Sequence, residues 1–273
     1  MFQKLSYPFR TARLLACTAL LVLGLGGCQT SGMSDITGSI DEKAEVSRTG
    51  DPRRDIETYQ ERYRANPKDV DAALRYGKAL RATGQRSQAV AVLEQATIAH
   101  PGNRLLLAAY GRALADNGNF QQAFDVLGRA HSPDDPDWRL LSAQGATLDQ
   151  LGRYEEARQY YSSALKIAPD QPSVLSNLGL SYALSKELAK AEETLRRAYS
   201  LAASDPRVRA NLALVIGLQG NFAEAEKIAK ADLPPAEAAA NVAQLKRMLA
   251  RKDKESARAE AGKMPIAGAG RSD

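Results

Sequence analysis

The sequence predicts an all-α protein, a solenoid of about five helix-turn-helix units closed at each end by a capping helix. Three observations carry this expectation. Glycines recur 34 residues apart at Gly77, Gly111, Gly145 and Gly179, with Ala213 in the next slot. Ala (47 residues) and Leu (33) dominate a 273-residue chain whose aromatic content is 6%, a balance that suits close helix packing better than a sandwich or barrel. Prolines close successive units at Pro67, Pro101 and Pro169, with Pro136 and Pro206 displaced by one and three residues. At 44% hydrophobic and 25% charged residues, the chain is long and apolar enough to bury a sizeable core.

The first element is a leader. Residues 1–13 carry Lys4, Arg10 and Arg13 and no acid, and they run into an apolar stretch over 14–25 followed by Gly26, Gly27 and Cys28. This is the layout of a secretory signal. The apolar stretch is too short for a permanent span, which takes about 20 residues as a helix. Residues 1–27 are therefore expected to be a lipoprotein signal peptide. Leu25-Gly26-Gly27-Cys28 resembles the bacterial lipobox, and the resemblance implies that the Cys28 thiol is acylated before cleavage leaves it as the new N-terminus. The alternative is an ordinary cleaved signal with an incidental cysteine. In the sorting pattern that this resembles, an aspartate after the cysteine favours inner-membrane retention; here Gln29 follows, which implies lipid-anchored placement at the outer membrane, facing the periplasm. Residues 28–51 are rich in Ser, Thr, Gly and acids with no sustained apolar period, and read as a flexible tether. Loss of Lys4, Arg10 and Arg13 lowers the formal charge from +5 to +2, which excludes an electrostatic footprint for nucleic acid. Cys17 and Cys28 are the only cysteines, so the mature fold stands without a disulfide framework.

The helices follow in order. Residues 52–69 are expected to form an N-terminal capping helix, since the stretch Arg53 to Asn66 holds Tyr59 and Tyr63 four apart and ends at Pro67. The repeat array is placed over 70–233, with helix pairs at 70–83 and 86–99, 104–117 and 120–131, 138–151 and 154–167, 172–185 and 188–201, and 206–219 and 222–231. The Gly77 set, and the small residues Ala89, Ala123, Ala157, Ala191 and Ala225, let the two helices of each pair approach closely. Ala96, Ala130, Ala164 and Ala198 add a second small position, while Leu93, Leu127, Tyr161 and Leu195 fill the large position between. Gly84, Gly118, Gly152 and Gly220 end the first helix of their pairs through the left-handed region, with Lys186 as the one departure. Pro234 and Pro235 open a C-terminal capping helix over 234–251, with Val242, Leu245 and Leu249 on one face. Residues 252–273, where charge and small residues take over, read as a disordered tail.

At these periodic residues, over 70–232, the chain resembles the tetratricopeptide repeat (TPR) family, whose 34-residue unit is a pair of antiparallel helices. The resemblance implies a right-handed superhelix whose inner face is lined by the first helix of each unit. Residues expected to point inward are Asp71, Arg75, Lys78, Arg112, Arg139, Ser142, Ser176, Asn177 and Asn211. Similar asparagine placements in the family hydrogen-bond the backbone of an extended peptide, since an amide offers both donors and an acceptor. Arg75, Lys78, Arg112 and Arg139 would add attraction for acidic groups or a terminal carboxylate, or form a solvated face. With Asn177 and Asn211 they make up the predicted partner-binding groove, which lacks the consecutive Lys and Asn set by which some members clamp a terminal carboxylate. Leu180, Leu184, Leu214 and Leu218 either extend an apolar patch on the later units or pack between repeats.

No catalytic constellation assembles, so the chain is not expected to be an enzyme or to hold a cofactor or metal. His100 and His131 are the only histidines and both fall late in second helices; a metal site would need further ligands. Ser142, Ser162, Ser163 and Ser176 have no His nearby. Asp134, Asp135 and Asp137 lack the length and glycine of a calcium loop, and acids there suit a helix N-terminus. Trp138 matches the aromatic that opens many units of this family. In its layout of lipobox, short tether, repeat array and capping helix, the chain resembles the TadD-type lipoproteins of tight-adherence (Flp) pilus systems. This implies an adaptor for protein assembly, with the pilus secretin or other pilus components as partners. The alternative is a repeat lipoprotein that scaffolds peptidoglycan hydrolases or outer-membrane protein insertion.

Overall fold

The computed structural model describes residues 52–261. The expected signal peptide, Cys28, the tether and residues 262–273 of the expected tail lie outside the described residues. Within them the chain is all helix apart from short connections: α1 (Pro52–Ala65), α2 (Val70–Ala82), α3 (Arg86–Ala99), α4 (Arg104–Asp116), α5 (Phe120–Arg129), α6 (Trp138–Gln150), α7 (Tyr154–Ile167), α8 (Pro172–Leu184), α9 (Leu188–Leu201), α10 (Pro206–Leu218), α11 (Phe222–Ala229) and α12 (Pro235–Ala261). The all-α solenoid of five helix pairs is as expected.

The first four pairs close where a glycine meets a large residue, Gly145 against Tyr161 among them. A Cβ built on Gly77 would lie 2.7 Å from Leu93 Cγ, one on Gly111 would lie 2.6 Å from Leu127 Cγ, and one on Gly179 would lie 2.6 Å from Leu195 Cγ. The helix axes are thus as near as glycine permits. The turns between paired helices at Gly84, Gly118, Gly152 and Gly220 have φ of 76 to 88°, where a Cβ is strained. Lys186 takes the same turn at φ 67° and is the only non-glycine with positive φ among the described residues. First helices begin on a side-chain cap in four of five units. The Asp69 carboxylate accepts from the N–H of Asp71 at 2.9 Å, Asn103 from Leu106 at 3.1 Å, Asp137 from Arg139 at 2.7 Å and Asp205 from Arg207 at 2.9 Å. Gln171 makes no cap bond, but Pro172 starts α8 with φ already set.

The core is a run of apolar clusters along the array. Tyr76, Leu80, Leu93, Leu106, Leu114 and Leu127 anchor the first two units, Tyr161 and Val174 the third and fourth, and Leu195, Leu212 and Ile216 the fourth and fifth. At the N-terminal end Ile56, Tyr59 and Tyr63 of α1 cover the first unit, with the Tyr63 and Tyr76 rings 5.7 Å apart. At the other end α12 lays Leu245 on Gly217 and Val242 on the last cluster.

Two differences from the sequence reading stand out. First, α12 runs to Ala261, so residues 252–261, expected as tail, are helical. Charge alone does not end a helix: this stretch is built mostly of Ala, Arg, Lys and Glu, all good helix formers, and the first breaker is Gly262. Second, α5 stops at Arg129 and is 10 residues long, against 14 in α3, α7 and α9. The chain then turns through Ser132 and Asp135 before Trp138. Beside the missing turn is an open cleft of about 490 Å³ lined by His131, Pro133, Pro136, Tyr160 and Ile167.

Candidate functional site: the inner face of the array

The contacts between helices define which face is inner. First helices touch one another in succession, α2 to α4 to α6 to α8 to α10, and α12 then continues the row. The second helices α3, α5, α7 and α9 touch only first helices, and no contact joins α3 to α5, α5 to α7 or α7 to α9. An array whose first helices crowd and whose second helices splay bends toward the first helices, so their free side is concave.

On that face the structure brings four of the expected inward residues together. Asn177 of α8 donates from Nδ2 to Ser142 Oγ of α6 at 3.2 Å, and Asn211 of α10 donates from Nδ2 to Ser176 Oγ of α8 at 2.9 Å. The two bonds are one repeat apart, so they form a polar ladder over three consecutive first helices. Both serines are buried (4% and 5% exposed), while both asparagines are half-buried. Each bond uses one amide hydrogen. Among the described residues nothing pairs with the amide oxygens, so each asparagine keeps an acceptor and a second donor, the set that pairs with a peptide group. Leu214, one turn after Asn211 on α10, is 38% exposed, and Leu180, Leu184 and Leu218 are half-buried.

The cations occupy the earlier units and differ in setting. Arg75 of α2 is half-buried and its Nε donates to Asp71 Oδ2 at 2.7 Å; Lys78 of the same helix is exposed. Arg112 of α4 is 8% exposed, so its side chain belongs more to the wall than to the solvated surface. Arg139, the second residue of α6, is half-buried, with its guanidinium 4.6 Å from the Trp138 ring centre and 3.9 Å from Asp137 Oδ1. Cations and asparagines thus stand in different units of one row and do not form a single cluster.

Sequence reasoning missed two polar contacts. Arg81 Nε donates to Asp116 Oδ2 at 2.6 Å, a largely buried pair that ties α2 to α4. Asp149 at the end of α6 accepts from Tyr161 Oη of α7 at 2.8 Å and from Ser181 Oγ of α8 at 2.6 Å. Burial pushes the Asp149 carboxyl up to about 6, against the lowering effect of those two bonds and of Arg158. Burial and the neighbouring carboxylate together hold the Tyr161 hydroxyl well above the usual tyrosine range. The signal was available: Tyr161 interrupts the series Leu93, Leu127, Leu195, and Asp149 stands where other units carry Ala115 and Ala183. His100 sits at the end of α3 with Nε2 2.7 Å from the Lys68 carbonyl, and His131 lies just past α5 with Nε2 3.0 Å from Oε1 of Gln144, in the middle of α6. Among the described residues no three His, Cys, Asp or Glu side chains gather as a metal site would require, and no helix is long and apolar enough to cross a membrane.

Models of the tetratricopeptide repeat match residues 70–112, 172–205 and 206–229, and a model described as TPR repeat matches residues 147–186. The chain carries tetratricopeptide repeats. Among solved structures, the TPR array is similar to the APC/C hetero-tetramer Cut9-Hcn1, with a TM-score of 0.58 and 16% identity over 73% of this chain and 41% of that one. It is also similar to TTC0263, a thermophilic TPR protein in Thermus thermophilus, with a TM-score of 0.57 and 23% identity over 64% of this chain and 97% of that one. A third is pilF of Pseudomonas aeruginosa, with a TM-score of 0.52 and 22% identity over 68% of this chain and 93% of that one. At these identities the likeness is one of fold. The chain spans less than half of the Cut9-Hcn1 chain it matches. No curated protein matches it. The TPR fold is that of a scaffold for protein–protein interaction.

Proposed function

We propose that this chain is an outer-membrane-anchored periplasmic TPR adaptor that holds an extended segment of a partner protein in its inner groove, and that it serves secretin assembly in a tight-adherence (Flp) pilus system. The observation that carries the groove is the ladder Ser142–Asn177 and Ser176–Asn211, which sets half-exposed amides one repeat apart on the concave side. Main-chain recognition by side-chain amides is indifferent to the partner's side chains, which suits an adaptor. Leu214 supplies an exposed apolar side chain one turn along α10 from Asn211, and Lys78, exposed on α2, stands at the other end of the row. The lipobox-like Leu25-Gly26-Gly27-Cys28 followed by Gln29 supports the anchor and its membrane, since two or more acyl chains on one cysteine give stable attachment.

The test is affinity capture of the chain from gently solubilised outer membranes, with mass spectrometry of what accompanies it. Secretin and pilus proteins, lost when Asn177→Ala and Asn211→Ala are combined, are the expected result. Hydrolases or insertion-machine subunits in their place would overturn the pilus assignment, and capture unaffected by the double change would overturn the groove. Cys28→Ser is expected to move the protein to the soluble fraction with its helical circular dichroism unchanged; continued membrane retention would overturn the anchor.

A further inference from the structure

The inner face is not the only place where the array departs from its own repeat. Three departures coincide between the third and fourth units. Tyr161 replaces the leucine of α3, α5 and α9, Asp149 the alanine of α4 and α8, and Ser181 the alanine found at Ala79 and Ala113. The three side chains come from α7, α6 and α8 and meet in one buried network: Asp149 is 7% exposed, Tyr161 1% and Ser181 fully buried. Each carboxylate oxygen accepts one hydrogen bond from a neutral hydroxyl on a different helix, at 2.8 and 2.6 Å.

The surrounding charges do not neutralise it. From α7, Arg158 faces the carboxylate but makes no hydrogen bond with it; its guanidinium is held by Glu155 at 3.1 Å, by Glu187 at the start of α9 at 3.4 Å and by the Ser185 hydroxyl at 3.0 Å. It also lies 5.1 Å from the Tyr182 ring of α8, which Lys190 of α9 approaches at 5.6 Å. Among the described residues the one other titratable group in contact is Tyr161 itself, whose hydroxyl burial and the nearby carboxylate keep protonated. A buried carboxylate supported by two hydroxyls and no contacting cation is costly as an anion and cheap as an acid.

We propose that Asp149 makes the joint between the third and fourth units acid-sensitive, protonation of its buried carboxyl stabilising the packing of α6, α7 and α8 against local opening. Both forms keep their hydrogen bonds, because the acid donates from one oxygen while either hydroxyl can turn to accept. The sign follows from the folded value of about 6 against an ordinary 3.8. Between those values the folded joint binds more protons than the opened one, so stability rises as pH falls through 6 and is lost again as pH rises. From pH 7 to pH 5 the opening equilibrium falls by about tenfold. The joint therefore behaves opposite to the usual acid denaturation, and it lies one helical turn along α8 from Asn177.

The experiment is amide hydrogen exchange across α6 to α8 in the full lipidated chain in detergent, at pH 5 and pH 7, corrected for the intrinsic pH dependence of exchange. The wild-type opening constant should fall about tenfold toward pH 5. Asp149→Asn should be insensitive to pH in the same amides and should match the wild type at pH 5. The triple change Asp149→Ala, Tyr161→Leu, Ser181→Ala, which restores residues that this array uses elsewhere, serves as a second variant that folds without the network and should also be flat. An absent pH response in the wild type, or the same response in either variant, overturns the proposal.

Discussion

Gly111→Ala tests the repeat packing with a single methyl group. The Cβ would lie 2.6 Å from Leu127 Cγ, 2.8 Å from Cδ2 and 3.3 Å from the Leu127 backbone nitrogen, against about 3.5–4.0 Å for carbon atoms at rest. Leu127 is fully buried among Leu107, Leu114 and Val126 and has nowhere to withdraw, so α4 and α5 must separate by roughly 1 Å. Overpacking of this kind costs about 1–3 kcal/mol. Alanine is the better helix former by about 0.5–1 kcal/mol, leaving a net loss of about 0.5–2 kcal/mol. At this size that is a fall in Tm of about 1–8 °C, read by far-UV circular dichroism. Leu127→Ala alone leaves a cavity and costs about 2–5 kcal/mol. The methyl added by Gly111→Ala then partly fills that cavity, so the double variant should lose less than the sum, by about 1 kcal/mol. Gly118→Ala is the control: nothing lies within 4 Å of its Cβ, yet φ is 87°, so it loses stability through the backbone and shows no coupling to Leu127. A rise in Tm for Gly111→Ala, the result for a helical glycine facing open space, would refute the packing register.

Other perturbations follow from the same geometry. Lys186→Gly relieves the left-handed turn between α8 and α9 and should stabilise by about 0.5–1 kcal/mol, visible as a higher Tm. Asp69→Ala removes the acceptor for the N–H groups of Asp71 and Ala72 and should cost about 0.5–2 kcal/mol in a urea titration. Asp116→Ala removes the carboxylate that Arg81 meets in a largely buried pair and should cost about 3 kcal/mol in the same titration, whereas Glu156→Ala, which breaks an exposed pair with Arg153, should leave the midpoint unmoved.

Helix boundaries were legible because one packing problem is solved five times. The residue that must be small, the residue that must turn and the residue that cannot continue a helix recur at fixed offsets, and the period isolates them from everything else. The ladder was half legible. Asn177 and Asn211 were readable as inward-facing from their place in α8 and α10, and so were Ser142 and Ser176. That each asparagine bonds the serine 35 residues before it depends on the small rotation between units, which the period does not encode. Arg112 illustrates a different limit. Its place in α4 fixes the direction of its Cβ, but a long side chain can bury its stem along an apolar wall, and that choice is made by neighbours in adjacent units. The extent of α12 was misjudged because polarity was taken for disorder, although helix propensity depends on backbone and rotamer freedom more than on charge.

Because each unit touches only its neighbours, a perturbation in this array has a reach that can be stated in advance. The core clusters divide the same way: Leu127 belongs to the cluster that ends at Ala143, while Leu195, Leu212 and Ile216 form another with no shared buried residue. Gly111→Ala should therefore raise hydrogen exchange in α2 to α6 and leave α9 to α11 at wild-type protection, and Asp149→Asn should act on α6 to α8 alone. If instead either change loosened the whole array equally, the units would be opening as one cooperative block. The groove could then not be treated as a row of separable sites, and the effects of Asn177→Ala and Asn211→Ala on partner capture would cease to be local. The contacts favour separability: the ladder crosses unit boundaries by one hydrogen bond each, and α6 reaches no helix beyond α8.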